Sequence, residues 1–229
     1  VCIITVIGCL VEIESTSPTS IMSMSVQVSK HPLILHKLTR LRDVDTPPVE
    51  FRALVRELSQ LLFVEASTDL PLKASTVQTP LAECDAHRLD CQVGLIPILR
   101  AGLGMSDAIL DLIPEAHVWH LGLYRDHDTL KPITYYNKLP PEPQADICFV
   151  VDPMLATGGS AIAAIEILKE WGAKRILYLG LIAAPEGVEN LRQAHSDVSI
   201  HLAALDSHLN EIGYIVPGLG DAGDRQFGT

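Results

Sequence analysis

Hydrophobic and polar positions repeat with two different periods along this chain, and the alternation between them predicts its elements. Five runs have the pattern of buried strands: Val93 to Leu99, Val118 to Tyr124, Ile147 to Val151, Ile176 to Ile182 and Val198 to Leu205. Helical spacing separates them, with apolar faces at Met105 to Ile113, Ile162 to Leu168 and Val188 to Ala194. Strands that alternate with helices indicate βαβ units and a parallel sheet. The predicted fold class is therefore α/β.

The first half of the chain is less regular. His31 to Asp43 is amphipathic, basic and predicted to be partly helical. A longer helix is predicted after Thr46, which would cap it, with Pro47 just inside its start. Thr68 to Asp90 has no strong period and predicts an irregular or hairpin region. Arg125 to Pro141 is polar, contains three prolines and predicts a long excursion from the sheet.

Residues 1–24 differ from the rest. They begin apolar but have no basic n-region, and the apolar run is shorter than a membrane span. We expect a poorly ordered extension, or a start site placed upstream of the true one, with a degenerate signal peptide as the alternative. Residues 25–229 are predicted to form a single domain.

Composition narrows the class of protein. Hydrophobic residues make up 48% and charged residues 20%, which favours a folded chain. The formal net charge of -11 argues against a nucleic-acid-wrapping surface. The five cysteines include no C-x-x-C pair, so reduced thiols in a cytoplasmic protein are expected. No membrane partner is expected.

The segment Ile147 to Ser160, I-C-F-V-V-D-P-M-L-A-T-G-G-S, carries the clearest chemistry. A buried strand delivers Asp152 to its carboxyl end, and the turn before the next helix can wrap an anion with backbone N–H groups. The segment is neither a Walker A loop nor a G-x-G-x-x-G motif. A tight strand-to-helix connection without function is the alternative.

Three loops are predicted to meet at one edge of the sheet, since ligands bind outside the carboxyl ends of parallel strands. They are Arg100 to Gly104, Tyr124 to Arg125 and Asp152 to Ser160. The tail from Gly213 is judged too rich in glycine for sheet or helix and is expected to cover the site as a flap.

Together these blocks resemble the uracil phosphoribosyltransferases of the type I phosphoribosyltransferase family. The resemblance lies in P-I-L-R-A-G-L-G-M from Pro97, Y-R at Tyr124, D-P-M-L-A-T-G-G-S from Asp152 and G-Y-I-V-P-G-L-G-D-A-G-D from Gly213. It implies a mostly parallel sheet flanked by helices, with a flexible hairpin loop and a C-terminal hood, mainly residues 206–229. It also implies phosphoribosyl transfer from 5-phosphoribosyl 1-diphosphate (PRPP) to uracil, giving uridine 5′-monophosphate (UMP).

The resemblance implies roles residue by residue. Arg100, Arg125 and Asp221 would be catalytic. PRPP would be bound by these three and by Ala101, Gly102, Asp152, Pro153, Met154, Leu155, Ala156, Thr157, Gly158, Gly159 and Ser160. Uracil would be bound by Tyr214, Ile215, Gly220, Asp221 and Ala222. Mg²⁺ would bind through PRPP, with Asp221 as a candidate ligand, while Lys131 and Lys138 are weaker candidates for the diphosphate and Asp224 is expected to be a solvated loop acid.

The sequence is compatible, to different degrees, with other functions. An RNA-binding regulator on the same fold is disfavoured by the acidic charge, and a non-catalytic sensor by the presence of all four blocks. Purine or orotate transferases are the alternatives among enzymes. The resemblance further implies a homo-oligomer and, in some members, a GTP effector.

Overall fold

Apolar strands occupy the centre of the molecule and place the polar loops at one edge. A computed structural model of the chain describes residues 25–125 and 132–229. Residues 1–24, with their predicted extension, lie outside the described part. So do residues 126–131, which include Lys131.

The helices are α1 (Pro32–Arg42), α2 (Pro48–Ala66), α3 (Leu103–Leu110), α4 (Gly159–Trp171), α5 (Pro185–Ala194) and α6 (Ala222–Phe227). The strands of the main sheet are β1 (Val26–Val28), β4 (Val93–Leu99), β5 (His117–Val118), β6 (Leu121–Arg125), β7 (Pro132–Asn137), β8 (Ile147–Val151), β9 (Met154–Leu155), β10 (Arg175–Ala183) and β11 (Ser199–Leu205). Two separate hairpins pair β2 (Leu72–Gln78) with β3 (Glu83–Leu89), and β12 (His208–Leu209) with β13 (Ile215–Val216).

The strand order of the main sheet is β1-β11-β10-β8-β4-β6-β7, with β5 beside β4 and β9 beside β10. Every pairing is parallel except that of β6 with β7. The chain passes from β4 outward to β6 and then returns to β8 on the other side of β4. This reversal opens a crevice at the carboxyl ends of β4 and β8, where open α/β sheets bind ligands.

Both faces of the sheet are covered, which explains why its central strands are apolar throughout. In β8, Phe149 points into the layer formed by α1, α2 and α3, and its ring meets Phe63 edge-on at 5.0 Å between centroids. Its neighbours Cys148 and Val150 point into the layer formed by α4 and α5. Cys148 is fully buried, as expected of a core residue. The predicted α/β class and mostly parallel sheet are confirmed.

Three local predictions were wrong. Helix α2 starts at Pro48 with Pro47 at its N-cap, and the Thr46 hydroxyl instead donates to the Arg40 carbonyl at 2.6 Å. The strand predicted over Val118 to Tyr124 is divided into β5 and β6, although Trp119 packs in the same core cluster as Leu121 and Leu123. The glycine-rich tail does form regular structure, namely β13 and α6.

Pairing with β12 and a side-chain cap explain the order of the tail. The Asp221 carboxylate accepts a hydrogen bond from the Asp224 N–H at 2.9 Å and so caps α6. Among the helices of the described ranges, none combines the length and apolarity needed to cross a membrane.

Candidate active site

The loop after β9 forms an anion-sized cradle at the start of α4. Residues 154–161 and Asp152 line a cleft of about 70 Å³. Gly158 has a φ of 85°, a left-handed conformation that favours glycine, and it occupies the N-cap of α4. The first N–H groups of a helix have no partner within it, and the helix dipole adds positive potential there. The loop is therefore suited to a phosphate group.

Helix α5 supports this loop from behind, which sequence reasoning missed. Asn190 donates its side-chain amide to the Thr157 carbonyl at 3.0 Å. A Cβ atom placed on Gly187 would lie 2.2 Å from the Ala156 carbonyl, so this helix approaches the loop backbone closely. The available signal was a glycine directly before the helix predicted over Val188 to Ala194; in the structure that helix begins earlier, at Pro185.

Asp152 leaves β8 beside the cradle and is partly buried. Its carbonyl accepts a hydrogen bond from the buried Tyr178 hydroxyl at 3.1 Å. The pKa of the Asp152 carboxyl is raised to about 7, mainly because the group is buried; the hydrogen bond from the Met154 N–H lowers the pKa, and the negative charge of Asp221 contributes to the rise. A carboxyl in this state changes its charge close to neutral pH.

The turn after β4 lies across the crevice from Asp152. A Cβ atom on Gly102 would lie 2.4 Å from the Val151 carbonyl, which shows how closely this turn packs on the end of β8. The Arg100 side chain is 60% exposed, and its guanidinium lies 3.6 Å from the Asp224 carboxylate. An exposed pair of this kind is weak, so Arg100 is available to an anionic ligand.

Asp224 differs from its expected role as a solvated loop acid, because it faces Arg100. Arg125 ends β6, the strand beside β4, so its backbone reaches the same edge of the sheet. Its side chain lies outside the described part, and its predicted contact with diphosphate stays a prediction.

The hood (residues 206–229) brings the C-terminal candidates to this edge. Ile215 and Ala222 have buried side chains, whereas Tyr214 is half exposed. Gly220 adopts a φ of 79°, which favours glycine. Asp221 comes close enough to Asp152 for their charges to interact.

Gln226 joins the hood to the turn after β4, and sequence reasoning did not identify it. Its side-chain amide donates to the Ala101 carbonyl at 3.0 Å and to the Ala222 carbonyl at 3.1 Å, and the residue is 1% exposed. The candidate site residues of the hood and those of the turn after β4 thus lie against each other. No local pattern distinguishes a buried glutamine from a solvated one on a short helix.

A crevice in a mainly parallel sheet, with a phosphate-sized cradle and an acid beside it, defines the class as a type I phosphoribosyltransferase, and the hood packs on the turn after β4 at the same edge. A family model described as uracil phosphoribosyltransferase matches residues 28–229. The chain belongs to the uracil phosphoribosyltransferase family.

Individual relatives agree with this assignment. The uracil phosphoribosyltransferase of Roseiflexus sp. (strain RS-1) is 70% identical over 204 residues, covering 89% of this chain and 98% of that protein. The protein of the same name from Anoxybacillus flavithermus is 58% identical over 205 residues, covering 89% and 98%. Among solved structures, the AQ2163 protein from Aquifex aeolicus is similar with a TM-score of 0.83 at 35% identity, covering 88% of this chain and 97% of that one.

Proposed function

We propose that this chain transfers the 5-phosphoribosyl group of PRPP to N1 of uracil, giving UMP and diphosphate. The observation that carries the proposal is that three parts meet at one edge of the sheet: the phosphate cradle beside Asp152, the turn after β4 that packs on the end of β8, and the hood that Gln226 joins to this turn. A substrate that carries both a phosphate and a ribose fits the first part of this site. A small planar base fits the hood.

The cradle and Asp152 would hold the phosphoribosyl part. The backbone from Ala156 to Ser160 binds the 5′-phosphate at the start of α4, with the Thr157 and Ser160 hydroxyls as additional donors. Pro153, Met154 and Leu155 carry the chain from Asp152 to this loop. The ionised Asp152 carboxylate accepts hydrogen bonds from the ribose hydroxyls.

The turn after β4 would hold the diphosphate. Arg100 pairs with its oxygens, aided by the N–H groups of Ala101 and Gly102, and Arg125 joins from the adjacent strand end. Among the described residues, no cluster of three His, Cys, Asp or Glu side chains could hold a metal by itself. Mg²⁺ fits the site as a diphosphate-bound ion with Asp221 as a protein ligand, where it would neutralise charge on the leaving group.

The hood would recognise uracil through its backbone. Uracil presents two carbonyl acceptors and two N–H donors, which main-chain groups at Ile215, Gly220 and Ala222 can complement. Tyr214 is half exposed at the start of this segment and can cover the ring. Recognition by backbone groups rejects bases that present a different donor and acceptor pattern.

The reaction needs no nucleophilic side chain. The C1′–O bond to diphosphate breaks with its electron pair on the leaving oxygen, N1 of uracil forms the new bond to C1′, and the N1 proton is released. Negative charge develops on the diphosphate, where Arg100 and Arg125 stabilise it. Positioning and electrostatic stabilisation thus supply the catalysis.

We further propose a cytoplasmic homo-oligomer that GTP can activate. The described cysteines Cys84, Cys91 and Cys148 are free thiols, which suits a reducing compartment. Both strands of the β2–β3 hairpin are largely exposed in one chain, and a hairpin this exposed gains stability by packing on another surface. Light scattering of the purified protein tests the assembly, and initial rates with added GTP test the effector.

The function is tested by following labelled UMP from uracil and PRPP, with and without Mg²⁺. Cytosine, orotate and hypoxanthine are run beside uracil under the same conditions. We expect UMP from uracil in the presence of Mg²⁺ and little product from the other bases. Product from orotate but not from uracil would overturn the assignment.

A further inference from the structure

The base-recognising segment contains an irregular stretch that side chains hold in place. Between β13 and α6 the chain turns through Gly218 and Gly220, with φ values of 66° and 79°. The Gly218 N–H, the Gly218 carbonyl and the Leu219 carbonyl are all bonded to side chains from elsewhere in the chain. The position of this turn is therefore set by those side chains.

Arg42 and Asp206 bind both main-chain groups of Gly218. One Asp206 carboxylate oxygen accepts from the Gly218 N–H at 2.9 Å and from the Arg42 guanidinium at 2.7 Å. The same Arg42 nitrogen donates to the Gly218 carbonyl at 2.7 Å, and its second terminal nitrogen pairs with the other Asp206 oxygen. The end of α1, the first residue of the hood and the turn at Gly218 thus meet in one closed set of hydrogen bonds.

The ion pair between Arg42 and Asp206 is mostly buried and is not an exposed surface pair. The Asp206 side chain is 3% exposed and the Arg42 side chain 22% exposed. A buried carboxylate has to be paired and hydrogen-bonded, and both conditions are met here. A Cβ atom on Gly218 would lie 2.1 Å from the Ile215 carbonyl, so the turn has little room to adopt another position.

Arg225 attaches the next residue of the turn to the same end of α1. Its guanidinium donates to the Leu219 carbonyl at 2.8 Å and to the Leu41 carbonyl at 2.9 Å, and it lies over the Phe51 ring at 4.4 Å. The C-terminal end of α1 is therefore a common platform for the turn. Since Arg42 and Arg225 use different main-chain groups, their contributions can be separated by mutation.

We propose that Arg42 and Asp206 are positioning residues for uracil, which hold the Gly218 turn so that neighbouring backbone groups meet the base. The inference rests on the proposed function. Gly218 lies three residues after Ile215 and two before Gly220, so a displacement there moves both. A misplacement of about 1 Å can cost about a hundredfold in rate. Within the described residues, the hydrogen bonds of these two side chains go to each other and to Gly218 and not to the phosphate cradle, so we expect the two substrates to respond differently.

The test compares four variants with the wild-type chain, and the single variant Arg42→Met serves as a fifth, used only as the stability reference for the double variant. Arg42→Lys keeps the charge but loses the planar fork, and Asp206→Asn keeps an acceptor for the Gly218 N–H. The double variant Arg42→Met with Asp206→Leu removes both charges together, which avoids an unpaired buried charge. Arg40→Met is the matched control, because Arg40 lies in the same helical turn and forms an exposed ion pair with Glu50.

We expect the KM for uracil to rise about tenfold to a hundredfold in the first three variants. The dissociation constant of PRPP, measured by calorimetry with Mg²⁺, stays within about twofold, and Arg40→Met changes neither quantity. The double variant recovers stability relative to Arg42→Met alone but keeps the raised KM. A merely structural role predicts that KM recovers together with stability.

Two results would overturn the inference: an unchanged uracil KM in the folded double variant, or a weakening of PRPP binding equal to that of uracil. Arg42→Lys, which leaves no charge unpaired, decides the matter if the other variants do not fold. Failure of the proposed function is a separate outcome, because it appears as absence of UMP formation in the wild-type chain.

Discussion

At the scale of single residues, the candidate site contains ionisable side chains whose charges are only partly compensated by neighbouring groups. Arg100 has a weak, exposed partner in Asp224 and lies 6.0 Å from the centre of the Phe227 ring, and Asp152 has a carboxyl whose pKa is about 7. Both side chains can replace their present interactions with interactions to the substrate, and the hydrophobic core stays intact.

Replacement of Arg100 by alanine is expected to lower turnover by about 10²- to 10³-fold, since it removes one stabiliser of the developing negative charge. The side chain is 60% exposed, so the melting temperature should not change. Steady-state rates with saturating uracil and PRPP measure the effect. Arg56→Ala, which removes an exposed ion pair with Asp111 remote from the site, is the control. Equal rates for Arg100→Ala and the control would remove the role given to Arg100.

Binding of PRPP is expected to strengthen as pH rises through about 7, because only the ionised Asp152 accepts from two ribose hydroxyls. Titration of PRPP binding from pH 6 to 8 in the wild-type chain and in Asp152→Asn measures this. The variant retains any pH dependence of binding that comes from ionisation of the phosphate groups of PRPP. A pH profile that is the same in both proteins would contradict the assignment.

The stability of the ligand-free protein should fall as pH rises, whereas PRPP binding should strengthen. The pKa of the Asp152 carboxyl is raised from 3.8 in the unfolded reference to about 7 in the fold, so the folded state binds more protons between these values. The stabilisation is complete below the unfolded value and is lost as pH rises through about 7. Urea midpoints across this range should fall more steeply for the wild-type chain than for Asp152→Asn.

At the scale of elements, α5 positions the cradle loop although this helix does not line the cradle cleft itself. Gly187 and Asn190 form the face of this helix that meets the cradle backbone. The cradle residues themselves make the motif recognisable in sequence. The elements behind them set where its N–H groups point.

Gly187→Ala is expected to displace the cradle, since the added methyl group would lie 2.2 Å from the Ala156 carbonyl. Overpacking of this kind costs about 1–3 kcal/mol, and the moved backbone should raise the KM for PRPP. Thermal unfolding and PRPP-dependent rates measure the two effects. Gln193→Ala, at an exposed position of the same helix, should leave both unchanged. A tolerated alanine at position 187 would show that the loop does not depend on this contact.

At the scale of the whole molecule, the two-layer core fixes the carboxyl edge of the sheet. Phe149 is fully buried in β8, the strand that leads to Asp152, and packs against Phe63 of α2. The sheet thus carries the N-terminal helices on one face and the cradle helices on the other. Loss of the core would separate the parts of the site from one another.

Phe149→Ala is expected to lower the free energy of unfolding by about 3–5 kcal/mol through the cavity it leaves. Urea denaturation monitors the change, and residual activity should follow the folded fraction. Val64→Ala removes an exposed side chain from α2 and should change the free energy by less than about 0.5 kcal/mol. A small loss of unfolding free energy for Phe149→Ala would mean that the surrounding side chains can relax to fill the cavity.

Much of this molecule was predictable because its signals are local. The run Val93 to Leu99 is β4 residue for residue, and Gly172 ends α4 in a left-handed conformation. Two of the predictions that were wrong concern positions where a side-chain hydrogen bond decides the local structure. The Thr46 hydroxyl donates to the Arg40 carbonyl and does not cap α2, and an Asp221 cap gives the tail a helix despite its glycines.

The sequence by itself determined the parallel α/β order, the anion-binding turn at Thr157 to Ser160 and the candidates of the tail. These depend on hydrophobic periodicity and on backbone preferences within a few residues. Only the tertiary structure decided how the parts are held together, as in the Arg42, Asp206 and Gly218 set or the Gln226 bridge to Ala101. Such contacts join residues more than a hundred positions apart, and no local pattern encodes which distant partner a buried polar side chain will meet.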